Sequence, residues 1–114
     1  GDYPIDARPE SGDMHITIRS RRMTSGSVDG LMRKLAQGFM PLISAAPGYV
    51  AYYVIDSGDG MVSAISIFED EATALASNQL AESWVRENLG PMVPGPAEVI
   101  SGRVLVPSEP GSAV

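Results

Sequence analysis

Cysteine is absent from the 114 residues, which excludes disulfides, thiolate metal sites and a cysteine nucleophile, and removes the usual clue to redox compartment. Histidine occurs once, as His15. A metal site needs several convergent ligands, so none is expected and His15 reads as ordinary surface at a strand end. Basic residues are few: eight Lys and Arg against fourteen Asp and Glu give a formal net charge of −6, the wrong sign for holding nucleic acid by its phosphates. Neither nucleic acid nor a membrane is an expected partner. One stretch, Leu35 to Ile55, lacks charge over 21 residues, the length of a spanning helix. Gln37, Gly38, Pro41, Ser44 and Pro47-Gly48 interrupt it, and its second half is β-branched and aromatic. It reads as the end of one buried helix and the start of one buried strand. No signal peptide is visible, and a cytoplasmic location is expected.

What remains is the composition of one globular domain, 44% hydrophobic, with Gly and Pro gathered in turns. Residues 1–13 are polar and aperiodic and read as a loosely ordered arm, 14–106 as the domain, and 107–114 as a tail of Pro, Ser and Gly. The domain is organised around Pro47 to Ala76. Tyr49 to Ile55 is dense in residues that suit a pleated surface, and Asp56-Ser57-Gly58-Asp59-Gly60 is a hairpin turn with glycines for positive φ. A second strand, Met61 to Phe68, runs into Glu69-Asp70-Glu71, carboxylates suited to a helix N-terminus. Upstream, Met14 to Met23 alternates as a strand, and Ser27 offers an N-cap to a helix from Val28. Gly38 and Pro41 are expected to bend that helix and Pro47-Gly48 to end it. A second helix, about Asp70 to Leu89, stops at Gly90-Pro91, and Glu98 to Val106 is a last strand.

The order β-α-β-β-α-β is the ferredoxin-like split βαβ sandwich: an α+β fold with a four-stranded antiparallel sheet and both helices on one face. By alternation Ile16, Ile18, Ile65, Ile67, Ile100 and Val104 are expected under the helices. Thr17, Arg19, Val62, Ala64, Ser66, Phe68, Ser101 and Arg103 are then expected on the open face. Tyr52 joins them if the hairpin loop has three residues, and Tyr53 if it has two or four. Exposed aromatic and aliphatic surface of this kind marks a partner or ligand. Other functions of this topology are excluded: the third strand lacks the basic Gly-aromatic pattern of an RNA-recognition motif, a copper chaperone needs cysteines, and Met23 to Ser27 carries no arginine phosphate cradle.

Three motifs carry a resemblance: Met14-His15-Ile16-Thr17-Ile18 opening the domain, Ala46-Pro47-Gly48-Tyr49 entering the second strand, and Ser66-Ile67-Phe68-Glu69-Asp70-Glu71-Ala72 passing from strand to helix. Over about residues 14–106 the chain resembles the antibiotic biosynthesis monooxygenase family of the dimeric α/β-barrel superfamily. The resemblance implies a homodimer whose open sheet faces pack into a barrel, each sheet enclosing a pocket against its own helices and loops. It also implies oxidation of small aromatic substrates by oxygen with no cofactor. In haem-degrading members an asparagine on the first strand, a tryptophan ending the third and a histidine on the second helix surround the haem. Here Arg19 or a neighbour, Phe68 and Asn78 stand at roughly those places, and no histidine follows Phe68, so haem ligation of that type is not expected.

The expected ligand pocket therefore lies between the open sheet face and the start of the second helix, bordered by Arg19, Tyr52, Ser66, Phe68, Asn78 and Arg103, with no catalytic residue assigned. The arginines bring charge to an apolar cavity, where it acts more strongly on an anion than in water. Plainer readings stand beside this one: Arg19 and Arg103 as ion pairs across a dimer, Arg19-Arg21-Arg22 as a solvated strand end, Trp84 as core, Tyr52 and Phe68 as packing. The implied function is a cofactor-independent monooxygenase acting on a small aromatic or polyketide-like substrate. The alternative is a non-catalytic dimeric barrel that binds a small hydrophobic ligand or serves a stress-type accessory role.

Overall fold

The first strand, β1 (His15–Arg22), leads through a short loop to a helical segment capped by Ser27, whose hydroxyl accepts from the Gly30 amide at 3.0 Å. This is a computed structural model, and it describes residues 14–106; the expected arm 1–13 and tail 107–114 lie outside the described residues. The segment has three parts: α1 (Val28–Lys34), a π-helical turn over Leu35–Phe39, and α2 (Met40–Ser44). The bend expected from Gly38 and Pro41 takes this wider form, with the Met40 amide bonded to the Leu35 carbonyl five residues back. Proline has no N–H to continue the α-helical ladder, and a π-turn absorbs the mismatch.

Gly48 (φ +79°) turns the chain into β2 (Tyr49–Gly58) and accepts the Glu69 amide at 2.8 Å. The hairpin to β3 (Met61–Phe68) closes on Asp59 and Gly60, both at positive φ, which fits a two-residue turn of the type that matches strand twist. A register shift between Asp56 and Gly58 adds one residue to the β2 side. That bulge restores the parity expected of a longer loop: Tyr52 pairs with Ser66 and Val54 with Ala64. Asp70 then caps α3 (Glu71–Asn88), accepting the Thr73 amide at 2.8 Å. Residues 90–96 dock on the β1–α1 loop, where Ser25 Oγ donates to the Pro91 carbonyl at 2.9 Å, and lead to β4 (Glu98–Arg103). The strand order is β2-β3-β1-β4, antiparallel throughout.

The two sheet faces are the reverse of the expected assignment. Thr17, Val62, Ser66 and Phe68 are buried under the helices, whereas the isoleucine face is open, with Ile100 69% and Tyr53 58% exposed. The helical segment from α1 through the π-turn to α2 supplies the bulk of the core through Leu31, Leu35, Phe39 and Ile43, each worth about 1.5–3 kcal/mol when fully buried. Beneath them α3 presents small residues, Ala74, Ser77 and Ala81. Small and polar residues on the covered sheet face leave room for these side chains and for a cavity between the layers. Trp84 is half-buried and not fully buried, its ring 5.4 Å from Phe39.

Candidate functional site

The cavity lies between the helix-covered sheet face and the helices, with a volume of about 60 Å³. Its walls are mostly apolar, from Leu31, Leu35, Phe39, Val54, Val62, Val85 and Leu89; its polar groups come from Arg19, Arg21, Tyr52, Ser63, Ser66 and Ser77. Among the described residues that line it there is neither a carboxylate nor an imidazole. A larger cleft of about 490 Å³ adjoins it, sharing Arg21, Val85 and Val93 and adding Glu82, Arg86 and residues 94–96.

Alternation along β1 brings Arg19 and Arg21 to the covered face, two residues apart. The run Arg19-Arg21-Arg22 is therefore not a solvated strand end as a whole: only Arg22 is exposed, and the Arg19 side chain retains 10% of its accessibility. Arg21 is pinned twice, donating from Nη1 to the Gly95 carbonyl at 3.1 Å and from Nη2 to Glu82 Oε2 at 3.3 Å. Arg19 Nε stands 3.8 Å from the same Glu82 oxygen, beyond hydrogen-bond length, and has no hydrogen-bond partner among the described residues. Burial lowers the Arg19 pKa, and Glu82 opposes this without cancelling it. Guanidinium stays protonated even so. Two cations share one carboxylate, leaving one positive charge in a wall that water reaches poorly.

Tyr52 lies across β3 from Arg19, through Ser66 and Ala64, and its ring meets Phe39 edge-on at 5.3 Å. Burial pushes its phenol up to about 12, against a smaller downward pull from Arg19. At neutral pH it is therefore an O–H donor that lines the same cavity as Arg19, and donors of these two kinds suit an oxyanion. Ser77 spends its own proton on the Ala74 carbonyl at 2.8 Å and so offers the cavity an acceptor.

Of the six expected pocket residues, the structure brings Arg19, Tyr52 and Ser66 together at this cavity. They stand on the covered face, not the open one. Phe68 is fully buried outside the cavity, edge-on to Tyr49 at 6.1 Å. Asn78 is half-buried one helical turn before Glu82, its Oδ1 buried without a hydrogen-bond partner among the described residues, and it does not line the cavity. Arg103 pairs with His15 at the β4 edge, on the same sheet face as Arg19 but exposed. Sequence reasoning missed Arg21, Glu82 and Ser77. The Ala74, Ser77, Ala81 spacing, a stripe of small residues on one helical face, was the available sign of a close approach to the sheet.

No known protein family matches the chain as a sequence, and no curated protein does either. Solved structures match its fold. A protein of unknown function from Nitrosomonas europaea, NE2512, aligns at TM-score 0.73 and 19% identity over 90% of this chain and 100% of that one. The ActVA-Orf6 monooxygenase of Streptomyces coelicolor, solved with nanaomycin D, aligns at 0.65 and 18% over 90% and 96%. The heme-degrading protein Rv3592 of Mycobacterium tuberculosis, in a heme-free form, aligns at 0.62 and 14% over 87% and 99%. At these identities the likeness establishes the fold: an α+β sandwich of the kind found in antibiotic biosynthesis monooxygenases, the group that the sequence motifs resemble. Among the described residues no helix is long and apolar enough to cross a membrane, and no three His, Cys, Asp or Glu side chains converge as a metal site.

Proposed function

We propose that the chain takes a small aromatic or polyketide-like molecule, in its singly deprotonated form, into the cavity under its helices and acts on it as a cofactor-independent monooxygenase. The observation that carries this reading is the Arg19 guanidinium, only partly compensated by the carboxylate it shares with Arg21 and buried with a free Nε in a mostly apolar cavity that the neutral Tyr52 phenol also lines. Fixed donors in a dry site favour an enolate or phenolate over its neutral acid, and that electron-rich anion is the form open to oxidation. The cavity alone is small for a drug-sized molecule, so the ligand extends past Arg21 into the adjoining cleft, whose volume lies within the range of ligand sites.

Among the described residues no carboxylate or imidazole lines the cavity, and this gives weight to a second reading. Without such a base the protein lowers the ligand's own pKa and does not take its proton, and a non-catalytic barrel binding a small hydrophobic ligand needs no more than this. Oxygen uptake on mixing with naphthalene diols and hydroxyanthrones separates the two. The monooxygenase reading expects oxygen consumed in step with loss of the phenol, and at least tenfold slower in Arg19→Met. Binding of these compounds with no oxygen uptake makes the protein a binder. Failure to bind any of them removes both.

A further inference from the structure

We infer that Glu82 sets the ligand selectivity of the cavity: it is a built-in competitor for Arg19, kept off that guanidinium by Arg21. The inference rests on the reading of the cavity as an anion site. Arg19 and Arg21 stand two apart on one face of β1, so a single carboxylate above them can serve either. Glu82 Oε2 accepts from Arg21 at 3.3 Å and halts 3.8 Å from Arg19 Nε. Arg21 holds it because the Gly95 carbonyl fixes that guanidinium on its other side, at 3.1 Å. Arg19 has no such second anchor on Nε, which stays buried without a hydrogen-bond partner among the described residues.

Were the carboxylate to close the remaining gap, it would occupy the Arg19 Nε–H and cancel that guanidinium's charge, and a ligand would meet only the outer N–H groups with no net charge from the pair. The Glu82 side chain keeps 48% of its accessibility and borders the outer cleft. It can therefore withdraw into solvent when an anion arrives at Arg19. Its charge nonetheless remains close enough to oppose that anion, and to oppose a second negative charge on the same ligand more strongly. Glu82 thereby limits the site to monoanions, and Arg21 acts on the ligand chiefly by holding Glu82 away.

The test uses 1-naphthoate and the neutral 1-naphthamide as probes, titrated calorimetrically into the full chain. Wild type binds naphthoate more tightly. Glu82→Gln tightens naphthoate by about fivefold, the ceiling for a half-exposed charge, and leaves naphthamide unchanged. Arg21→Met weakens naphthoate because Glu82 passes to Arg19, and the Arg21→Met/Glu82→Gln double variant recovers what was lost. Glu82→Gln leaves two poorly hydrated cations and risks misfolding; the comparison of Arg21→Met with the double variant then carries the test alone, since the double variant has one cation fewer. Equal binding of the two probes by wild type, or binding of neither, overturns the anion site itself. A wild type that prefers naphthoate, with an Arg21→Met loss that Glu82→Gln does not recover, leaves the anion site standing and overturns the role of Glu82: Arg21 then touches the ligand directly.

Discussion

Arg19 and Arg103 are equivalent by alternation and differ in everything that matters to a ligand. Arg103 sits on an edge strand, in water, where a charge interacts weakly; Arg19 is under α3, where desolvation has already weakened its hold on the proton. Arg19→Met is accordingly expected to weaken binding of an aromatic anion tenfold or more, with neutral analogues nearly unaffected, while Arg103→Met leaves both unchanged. A titration in which the two variants behave alike refutes the cavity as the site. Tyr52, with its phenol pushed to about 12, stays protonated between pH 6 and about 9. Any pH dependence of binding in that range follows the ligand's own ionisation, and Tyr52→Phe lowers affinity without moving the profile. Asp70 gives a second pH signature. The Thr73 amide, followed by its hydroxyl, lowers the Asp70 carboxyl pKa, so its stabilising effect is present above the ordinary aspartate pKa and is lost as pH falls through the lowered one. Asp70→Asn keeps a capping oxygen but removes the charge. Its melting midpoint should lie below wild type at pH 7 and converge with it in acid; a gap that persists undiminished into acid rules out the carboxylate charge as the cause.

At the scale of elements, the π-turn and Trp84 form one packing unit. A Cβ added to Gly38 would stand 2.7 Å from Trp84 Cζ2, closer than side-chain carbons approach. Alanine ordinarily stabilises a helix relative to glycine by about 1 kcal/mol, so Gly38→Ala sets propensity against a clash with an aromatic ring that is itself wedged against Phe39. The clash is expected to win, lowering the melting midpoint, and Trp84→Ala is expected to cost about 2–3 kcal/mol, below the figure for a fully buried indole. A higher midpoint for Gly38→Ala means the ring swings aside freely. Chain order was legible because punctuation is local: Ser27 caps α1, Gly48 turns the chain into β2, Asp59-Gly60 turns the hairpin, Asp70 caps α3, and β3 begins at Met61 and ends at Phe68 as its composition indicates. Which sheet face the helices cover was not legible from alternation. Both faces of β3 are apolar, Met61, Ile65 and Ile67 on one and Val62, Ala64 and Phe68 on the other, and hydrophobicity alone chose the bulkier. The covered face is mixed: under Leu31, Leu35, Phe39 and Ile43 the strands set Thr17, Ala64 and Ser66 beside Val62 and Phe68, so neither bulk nor polarity along β3 marked it. The same misjudged face placed the pocket on the wrong side of the sheet while keeping Arg19, Tyr52 and Ser66 together, since they share one parity whichever side is covered.

For the molecule as a whole, the reversal strengthens the case for a partner. The open face is built of Ile16, Ile18, Ile65 and Ile67 at its centre, with Tyr53, Ile55 and Ile100 exposed around them. Side chains of this size and branching, contiguous on the two central strands, form a patch that a lone soluble domain seldom leaves in water. A second copy of the chain would cover it were two such sheets to meet face to face, burying both isoleucine clusters at once. The cavity lies on the opposite face, so dimerisation leaves its walls untouched. The homodimer is therefore expected to form at micromolar concentration in sedimentation, and Ile65→Lys, a charge at the centre of the patch, to shift the population to monomer. Ligand titration of that monomer completes the argument. Retained affinity for an aromatic anion is expected, because Arg19 and Tyr52 belong to the same chain as the helices that cover them. A wild-type monomer at micromolar concentration refutes the dimer, and a folded Ile65→Lys monomer that no longer binds refutes a cavity complete within one chain.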